Sequence, residues 1–326
     1  MTADGGRRAT AGAAVPDVSV VIVSYNTRAL LDGCLRSVQG STGVTVETWV
    51  VDNASPDGSA DHVAGTFPDV RLIRSGANRG FAAANNLAIA GAAGRYLLLL
   101  NPDTVVRPDT IARLAGFLDG RPAVGITGPR VLNRDGTTQS CGYRYPTLAR
   151  EIAMSRDGRR TSGGRRTVPA DAIDVSREVD WIDGCCLMIR RTVVDRIGPL
   201  DEQFFLYAEE LDWCRTAVAA GVRIATCPDA EMTHFGGQST AQVKGQSLAM
   251  FIETRLRYYH KHDGLATAAT VAAMYVLGCA RHWRAERDKS RAKLLGIQRW
   301  WQGRGPTVPP AGAIEIGGPA AGTRRA

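Results

Sequence analysis

The sequence predicts an α/β fold in which a mixed, mainly parallel sheet is flanked by helices. Two segments, residues 18–24 and 97–100, are continuously apolar, as expected for strands buried on both faces of a sheet. Strand and helix patterns alternate along residues 18–127, which is typical of strands joined by crossover helices. Polar residues follow directly after these strands. Because ligands bind outside the carboxyl ends of strands in open α/β sheets, we expect the functional site at that edge.

Each predicted helix or strand is supported by the spacing of its apolar residues and by the residues at its ends. The helix after the first strand has apolar residues at helical spacing, and Thr27 is placed to cap it and Gly40 to end it. Pro108 suits the first turn of a later helix, and Gly198 suits a left-handed cap. The other predicted elements are strands at 44–51, 70–74, 124–127 and within 179–190, and helices at 59–65, 81–93, 108–118, 191–197 and from 204 to 220.

Length and composition limit the class of protein. The 326 residues are 44% hydrophobic, which is enough for one full domain with appendages. Residues 1–16 lack an apolar run, so we expect a disordered N-terminus and neither a signal peptide nor an anchor. Seven cysteines without a CxxC pair argue against a zinc cluster and favour a reducing cytoplasm. The net charge of +8 is concentrated in residues 156–166 and 281–299, so we expect no nucleic-acid partner. The first of these ranges lies in a segment, 156–167, that is predicted to be a mobile loop.

The apolar strand at 97–100 stops at Asn101-Pro102-Asp103, where a carboxylate follows an unbroken run of leucines. A hydrophobic core does not favour such a group. Asp103 lies where a divalent metal and its phosphates would be held at the end of the strand. The alternative is a Pro-Asp turn with no further role. The polar ends of the neighbouring strands favour the metal site.

Three carboxylates crowd the first turn of the helix after residue 204, namely Glu209, Glu210 and Asp212. The helix dipole stabilises acidic groups there by roughly 0.3–1 kcal/mol each, which is a sufficient explanation for two of them. Glu209 and Asp212 share a helix face, whereas Glu210 is rotated by about 100°. Glu210 is therefore placed to point alone into a cleft as a general base.

Several motifs occur in a fixed order along residues 18–259: VSVVIVSYN, VDNAS, NRGFAAANN, LLLLNPDT, WIDG, FFLYAEELDWC and HFGGQS. With these motifs the chain resembles the family-2 glycosyltransferases of GT-A fold, in the branch that includes rhamnosyltransferases of bacterial envelope synthesis. The resemblance implies a Rossmann-like catalytic domain at 17–245. Its nucleotide-binding half would lie at about 17–130 and its acceptor-binding half at about 131–245.

The same resemblance implies a nucleotide-sugar pocket at the strand ends. In that pocket Asp52 would contact the base or the ribose, because a carboxylate accepts hydrogen bonds from both. The alternative for Asp52 is an Asx turn. The implied nucleotide-sugar-binding residues are Ser24, Tyr25, Asn26, Asp52, Asn78, Arg79 and Asn101.

A metal site is implied next to this pocket. Asn101 and Asp103 stand where the family carries its DXD motif, so Asp103 is the expected metal ligand, and the family places a second ligand at His234. On its own, His234 reads as an ordinary loop histidine. With only one carboxylate, metal and donor diphosphate should bind together. Mg²⁺ or Mn²⁺ suits oxygen ligands, and the imidazole favours Mn²⁺.

Glu210 aligns with the catalytic base of the family, which is commonly an aspartate. One base on the acceptor side and a nucleoside diphosphate leaving on the other side describe a single displacement that inverts the anomeric centre. Trp181 could stack on an acceptor sugar, and the alternative is that it lies in the core. The implied supporting residues are Glu209, Asp212 and Arg215, of which Asp212 and Arg215 would either orient the helix or contact the sugar or phosphate. The implied acceptor residues are Trp181, Asp183 and Gly184.

Residues 246–300 form a predicted helical extension. Residues 265–280 are almost wholly apolar but fall short of the roughly 20 needed to cross a bilayer, and a basic segment containing Trp283 follows. This pattern fits a helix lying on an anionic membrane surface, and a core-packed or dimer-forming helix is the alternative. Residues 301–326 are rich in glycine, proline and alanine, which predicts a disordered tail.

We therefore expect an inverting transferase that moves a sugar to a hydroxyl of a cell-envelope glycan or a polyprenyl-diphosphate-linked acceptor. The resemblance puts dTDP-rhamnose ahead of UDP-sugars as the donor. The cysteines and the C-terminal extension favour a cytoplasmic enzyme, peripheral at the inner face of the cell membrane. Two other classes stay open. A sugar-phosphate nucleotidyltransferase would show a glycine-rich phosphate loop near its N-terminus, and a noncatalytic basic binding or scaffold protein would show salt-sensitive binding.

Overall fold

The computed structural model describes residues 15–156, 178–236, 244–303 and 315–317. The strands are β1 (Val18–Ser24), β2 (Val46–Asp52), β3 (Arg71–Arg74), β4 (Tyr96–Leu100), β5 (Thr104–Val106), β6 (Val124–Leu132), β7 (Thr138–Gln139), β8 (Gly142–Tyr143), β9 (Trp181–Ile182), β10 (Cys186–Arg190), β11 (Arg223–His234) and β12 (Glu315–Gly317). The helices are α1 (Arg28–Gln39), α2 (Ser59–Thr66), α3 (Gly80–Ile89), α4 (Thr110–Asp119), α5 (Leu148–Arg156), α6 (Arg191–Ile197), α7 (Glu209–Ala219), α8 (Lys244–His282) and α9 (Arg287–Trp301).

The described strands form one large mixed sheet and a small β8-β9 sheet. The large sheet has the order β12-β3-β2-β1-β4-β10-β6-β11-β5, with β7 beside β6. Strands β3, β2, β1 and β4 are parallel, and β6 and β11 are parallel to each other. Strand β10 runs antiparallel to both its neighbours. The predicted mixed, mainly parallel sheet is confirmed.

Both faces of the sheet are buried, which explains the continuous apolar runs. Along β1, Val20 and Ile22 face one core, which includes side chains of α1, α2 and α4. Val21 and Val23 face the other core, which includes side chains of α3, α6 and α7. A strand covered on both sides needs no polar face, so β1 and β4 read as unbroken hydrophobic segments.

The strand ends meet at one edge of the sheet, as expected. Ser24 pairs with Asp52, and Asp52 pairs with Arg74, so β1, β2 and β3 end at the same level. At the other side of the site, His234 of β11 pairs with Thr104 of β5. This second pairing brings residue 234 beside residue 103, although 131 positions of sequence separate them.

Strands β5 and β11 have no counterpart among the predicted elements. Strand β11 contains Pro228, and its register against β6 shifts between Cys227 and Glu231. Such an irregularity breaks the alternation by which a strand is recognised. The expected boundary between nucleotide and acceptor halves falls inside β6, so the two halves share one continuous sheet.

Two local predictions are wrong. Thr27 precedes α1, but its hydroxyl pairs with Ser24 Oγ at 2.9 Å and makes no capping bond to the helix. Residues 315–317, predicted to be disordered, form β12 against β3. An edge strand offers unpaired backbone groups, so even a tail of weak propensity can add to it. The loop at 157–167 and residues 1–14, 304–314 and 318–326 lie outside the described residues.

Helix α8 joins the C-terminal extension to the main domain. Its path breaks at Gly264, where φ is 85° and ψ is 164°. In its first half, the nearly buried Arg255 donates to Glu151 of α5 at 2.7 Å, and Tyr259 donates to the same carboxylate at 2.8 Å. A paired charge of this kind fixes α8 on the domain, because removing either partner would leave a buried charge uncompensated.

Candidate active site

The buried side chain of Asn53 organises one wall of the site. Its Nδ2 donates to Asn78 Oδ1 at 3.0 Å and to the Gly80 carbonyl at 3.1 Å, and its Oδ1 accepts from the Arg79 N–H at 2.9 Å. These bonds tie the end of β2 to the loop before α3. Asn53 was not among the predicted site residues, and the available signal was its place directly after Asp52 at a strand end.

Two buried polar atoms in this wall have no hydrogen-bond partner among the described residues. Asp52 Oδ2 accepts from the Ser55 N–H at 3.1 Å, whereas Asp52 Oδ1 is unpaired. The second atom is Arg79 Nη2. Burial raises the pKa of Asp52 above its ordinary value. Each unpaired buried group costs about 1–3 kcal/mol, so this acceptor and this donor are suited to a polar ligand. The local turn at Asp52, which was the alternative for this residue, therefore leaves its Oδ1 available to a ligand.

The structure places the three site residues predicted at the end of β1 in different environments. Ser24 is fully buried and its hydroxyl is engaged by Thr27, which does not favour direct contact of this side chain with a nucleotide. Its role is to shape the loop, since its carbonyl accepts from the Asn53 N–H at 2.8 Å. Tyr25 and Asn26 are partly exposed, and the Asn26 N–H donates to Ser55 Oγ at 3.0 Å. These two residues stay candidates for nucleotide contact.

Backbone strain is concentrated around the site. Within the described ranges, the non-glycine residues with positive φ are Asn26 (55°), Ala54 (63°), Tyr207 (74°) and Ala208 (70°). Two of them follow strand ends in the nucleotide wall, and two immediately precede α7. Such conformations cost about 1–3 kcal/mol each and persist where the surrounding structure holds them. Their clustering indicates that loop geometry here serves a site.

Asp103 and His234 face each other on the opposite wall. Asp103 Oδ1 lies 3.3 Å from His234 Nε2, and both side chains are largely buried. The other ring nitrogen, Nδ1, lies 2.8 Å from Gln139 Oε1, which can only accept. We therefore assign the proton to Nδ1, which leaves the lone pair of Nε2 facing the carboxylate. Two lone pairs in this arrangement need a cation or a proton between them, and Gln139 fixes the imidazole ring.

The loop between β9 and β10 connects this wall to α7. The Asn101 N–H donates to the Cys185 carbonyl at 3.0 Å, so the end of β4 is tied to that loop. Gly184 lies against Glu210, since a Cβ on Gly184 would stand 3.6 Å from Glu210 Cγ. Asp183 accepts from the Cys185 N–H at 3.1 Å, which shapes the turn. The structure thus brings together Asn101, Gly184 and Glu210.

Glu209 and Glu210 are buried at the start of α7. The helix is entered through the left-handed residues Tyr207 and Ala208, which turn the chain sharply before the first carboxylate. Upstream of them, the Phe205 carbonyl accepts from the Phe81 N–H at 2.6 Å. This bond joins the α7 entrance to the N-terminus of α3. The base candidate and the nucleotide wall are therefore held by one connected framework.

Gly80 is the closest point of that junction. Its φ is +80°, and an added Cβ would stand only 2.2 Å from the Phe205 carbonyl oxygen. We expect Gly80→Ala to lower the free energy of unfolding by about 2–3 kcal/mol or more, through strain and displacement of residue 205. Gly136→Ala is the matched control, because Gly136 has φ +82° but open space around it, and it should lose about 1 kcal/mol. Urea denaturation measures both, and equal losses would contradict the close contact.

Two predicted supporting residues face α8 and not the cleft. Asp212 accepts from Lys261 Nζ at 2.9 Å and lies 2.7 Å from His262 Nε2. Arg215 donates to Asp263 at 2.7 Å and to the Tyr258 hydroxyl at 2.9 Å. Both residues therefore fix α7 on the C-terminal extension, and these contacts favour a role in orienting the helix over contact with the sugar or phosphate.

Trp181 lies in the core, which was the alternative for this residue. It is 5% exposed and stacks on Tyr143 with ring centroids 4.6 Å apart. Its Nε1–H donates to the Arg144 carbonyl at 3.3 Å. With its ring covered in this way, Trp181 has no face to offer an acceptor sugar, and it supports the loop that carries Asp183 and Gly184.

Comparison with known proteins agrees with this geometry. The profile of Glycosyl transferase family 2 matches residues 19–198, more than half of the chain. The chain is 29% identical over 255 residues to N-acetylglucosaminyl-diphospho-decaprenol L-rhamnosyltransferase of Mycobacterium tuberculosis, covering 71% of this chain and 80% of the relative. It is 24% identical over 194 residues to a rhamnosyltransferase of Escherichia coli K12, covering 56% of this chain and 71% of that protein.

A solved structure shows the same architecture. The mannosyltransferase of Pyrobaculum calidifontis, in complex with GDP-Man and Mn²⁺, superposes with a TM-score of 0.53 at 19% identity, covering 89% of this chain and 88% of that one. This likeness establishes the GT-A fold, and the profile match excludes the nucleotidyltransferase and scaffold alternatives. The chain belongs to glycosyl transferase family 2 and is a glycosyltransferase of GT-A fold.

Proposed function

We propose that the chain transfers rhamnose from dTDP-rhamnose to a hydroxyl of a polyprenyl-diphosphate-linked sugar, with inversion at the anomeric carbon. The observation that carries the reaction class is the placement of Glu210, buried at the start of α7 and beside Gly184. The donor and acceptor are supported by the names of the relatives, two of which are rhamnosyltransferases.

Asp52 and Arg79 provide the polar contacts for the donor. The free Oδ1 of Asp52 can accept from a pyrimidine N–H or a ribose hydroxyl, and the free Nη2 of Arg79 can donate to a phosphate oxygen. A hydrogen bond donated by the ligand to Asp52 stabilises the ionised carboxylate and lowers the raised pKa of Asp52. Donor binding should therefore favour the deprotonated carboxylate.

Glu210 acts on the acceptor. Its carboxylate removes the proton of the acceptor hydroxyl while that oxygen forms a bond to the anomeric carbon. The bond between the anomeric carbon and the diphosphate oxygen breaks, and its electron pair leaves with the nucleoside diphosphate. Attack opposite to the leaving group inverts the configuration. No second carboxylate nucleophile is needed for this reaction.

Asp103 and His234 fit a divalent metal. The carboxylate oxygen and the imidazole lone pair face each other at 3.3 Å, and Gln139 holds the ring in the required tautomer. Within the described residues, no cluster of three or more His, Cys, Asp or Glu side chains surrounds them. The remaining ligands would then be diphosphate oxygens and water, as Mg²⁺ and Mn²⁺ favour. When bound, the metal supplies positive charge that stabilises the leaving diphosphate.

A reducing cytoplasm is the proposed location. The seven cysteines are buried thiols, and none is in a disulfide. Burial raises the pKa of Cys34, Cys141 and Cys214 to about 12, so these thiols are not poised for reaction. Their contribution is to core packing.

The test of this function is a transfer assay with a donor panel. Purified full-length protein is incubated with Mn²⁺ or Mg²⁺, polyprenyl-diphosphate N-acetylglucosamine and one of dTDP-rhamnose, UDP-galactose, UDP-glucose or GDP-mannose. We expect acceptor-dependent release of nucleoside diphosphate with dTDP-rhamnose alone. Turnover with another donor would overturn the rhamnose assignment, and no turnover with any donor would overturn the proposed acceptor class.

A further inference from the structure

The C-terminal hairpin, defined as residues 265–301, exposes a concentration of large apolar side chains. Within the described residues, nine large hydrophobic residues are exposed, and six of them lie on this hairpin: Leu265, Val276, Leu277, Trp283, Leu295 and Trp301. Single exposed apolar residues are normal, but a concentration on one substructure marks an interaction surface.

Three of these side chains, Leu265, Val276 and Leu277, lie on one face of α8. In its second half, the exposed positions recur every three or four residues and are all uncharged, whereas the intervening residues 268, 271, 272 and 279 are buried. The exposed positions are Leu265, Ala266, Ala269, Thr270, Ala273, Val276, Leu277 and Ala280. The inner face of this helix packs on the protein, whereas its apolar outer face is not covered by the residues that the structure describes.

A basic segment adjoins that apolar face. Residues 281–299 contain seven Lys or Arg and two Asp or Glu, a net charge of +5 out of +8 for the whole chain. Arg281, Arg284, Arg287 and Arg291 are exposed and have no ion-pair partner among the described residues. Unpaired positive charge beside an exposed apolar face is complementary to an anionic lipid surface, where each basic residue contributes about 1 kcal/mol.

The hairpin is suited to lying on a bilayer and not to crossing it. By length and composition, one described helix, Gln246–His282, could cross a membrane. Its first half, however, buries Ile252, Leu256 and Tyr259 within the protein. The uncharged part of the second half has 16 residues, fewer than the roughly 20 that span a bilayer. Helix α9 also packs back along α8, with Gly296 against the Ala249 carbonyl.

We infer that the C-terminal hairpin docks the enzyme on an anionic membrane surface, through the uncharged face of α8 and the basic segment that follows it. This inference goes beyond the proposed sugar transfer and does not depend on the identity of the donor. Asp212 and Arg215 connect α7 to α8 just before the break at Gly264. The docked surface is therefore joined to the helix that carries Glu210.

Tryptophan fluorescence tests the docking at defined positions. Of the six tryptophans, Trp49, Trp181, Trp213 and Trp300 are at most 8% exposed, whereas Trp283 is 38% and Trp301 is 72% exposed. Vesicles of phosphatidylglycerol and phosphatidylcholine should shift the emission of the full chain to shorter wavelength, and Trp283→Gln with Trp301→Gln should abolish that shift. Binding to vesicles of phosphatidylcholine alone should be weaker by about tenfold or more.

Matched pairs of variants test whether vesicle binding depends on this surface and not on the overall charge or apolarity of the protein. Leu277→Glu, and Arg284→Glu combined with Arg291→Glu, should each weaken vesicle binding about tenfold or more. Val218→Glu and Arg134→Glu, at exposed positions elsewhere, are the matched controls and should bind as the unmodified protein does. Unchanged donor binding by the hairpin variants would show that they fold.

Several results would overturn the inference. The unmodified protein would fail to bind anionic vesicles, or the hairpin variants would bind as well as their controls. A stable dimer in solution that Leu277→Glu dissociates would assign the apolar face to a second copy of the chain. Because these measurements need no donor, they remain informative even if the transfer assay fails.

Discussion

Glu210→Gln should abolish sugar transfer while leaving donor binding intact. The amide cannot accept the proton of the acceptor hydroxyl, and loss of a general base lowers kcat about 10²–10⁴-fold. The substitution is nearly isosteric, so the position beside Gly184 and the start of α7 should persist. Steady-state release of nucleoside diphosphate measures kcat, and calorimetric titration measures donor affinity.

Glu209→Gln is the matched control for that substitution. Both carboxylates are buried in the first turn of α7, so both variants remove a charge from the same helix N-terminus. If the effect came from helix stability, the two variants would behave alike. We expect kcat to fall less than about tenfold for Glu209→Gln. A larger loss in Glu209→Gln than in Glu210→Gln would assign the base to residue 209.

Asp103→Asn should remove the metal-dependent part of donor affinity. The carboxylate that faces His234 is the only charged oxygen ligand in the proposed pair. Removing it should weaken nucleoside diphosphate binding by about 100-fold or more in Mn²⁺, with little change in the presence of a chelator. Calorimetric titration of dTDP with Mn²⁺ and with EDTA measures both values.

Asp52→Asn is the matched control for the metal variant. Asp52 ends β2, whereas Asp103 follows β4, which is two strands away in the sheet, and the free Oδ1 of Asp52 is proposed to contact the nucleoside. Its substitution should therefore weaken dTDP binding by a similar factor in Mn²⁺ and in EDTA. Equal behaviour of the two variants would show that residue 103 does not act through a metal.

Local sequence patterns predict the nucleotide side of the fold well. Strands β1 and β4 are recognisable because burial on both faces leaves an uninterrupted apolar run. The register of β1 against β2 then places Ser24 and Asp52 at one edge. The polar residues at strand ends are therefore informative from sequence. This part of the site is built from β2 and the loop before α3, which lie close together in the sequence.

The rest of the site depends on contacts that sequence spacing does not show. Strand β11 contains Pro228 and a register shift, so its local sequence pattern does not predict a strand. Its pairing brings His234 to Asp103. The role of Asn53 arises from three bonds to a loop 25 or more residues away. Asp212 and Arg215 contact α8, which lies about 50 residues later in the chain, and their positions in the sequence do not indicate this contact.

The anomeric configuration of the product tests the central claim most directly. That claim is a single displacement in which Glu210 is the only catalytic carboxylate and the nucleoside diphosphate leaves from the opposite side. Nuclear magnetic resonance of the glycolipid formed from dTDP-rhamnose reports the configuration of the new bond. We predict a configuration opposite to that of the donor. Retention of the donor configuration would require a second displacement or a different mechanism, and it would contradict the role assigned to Glu210.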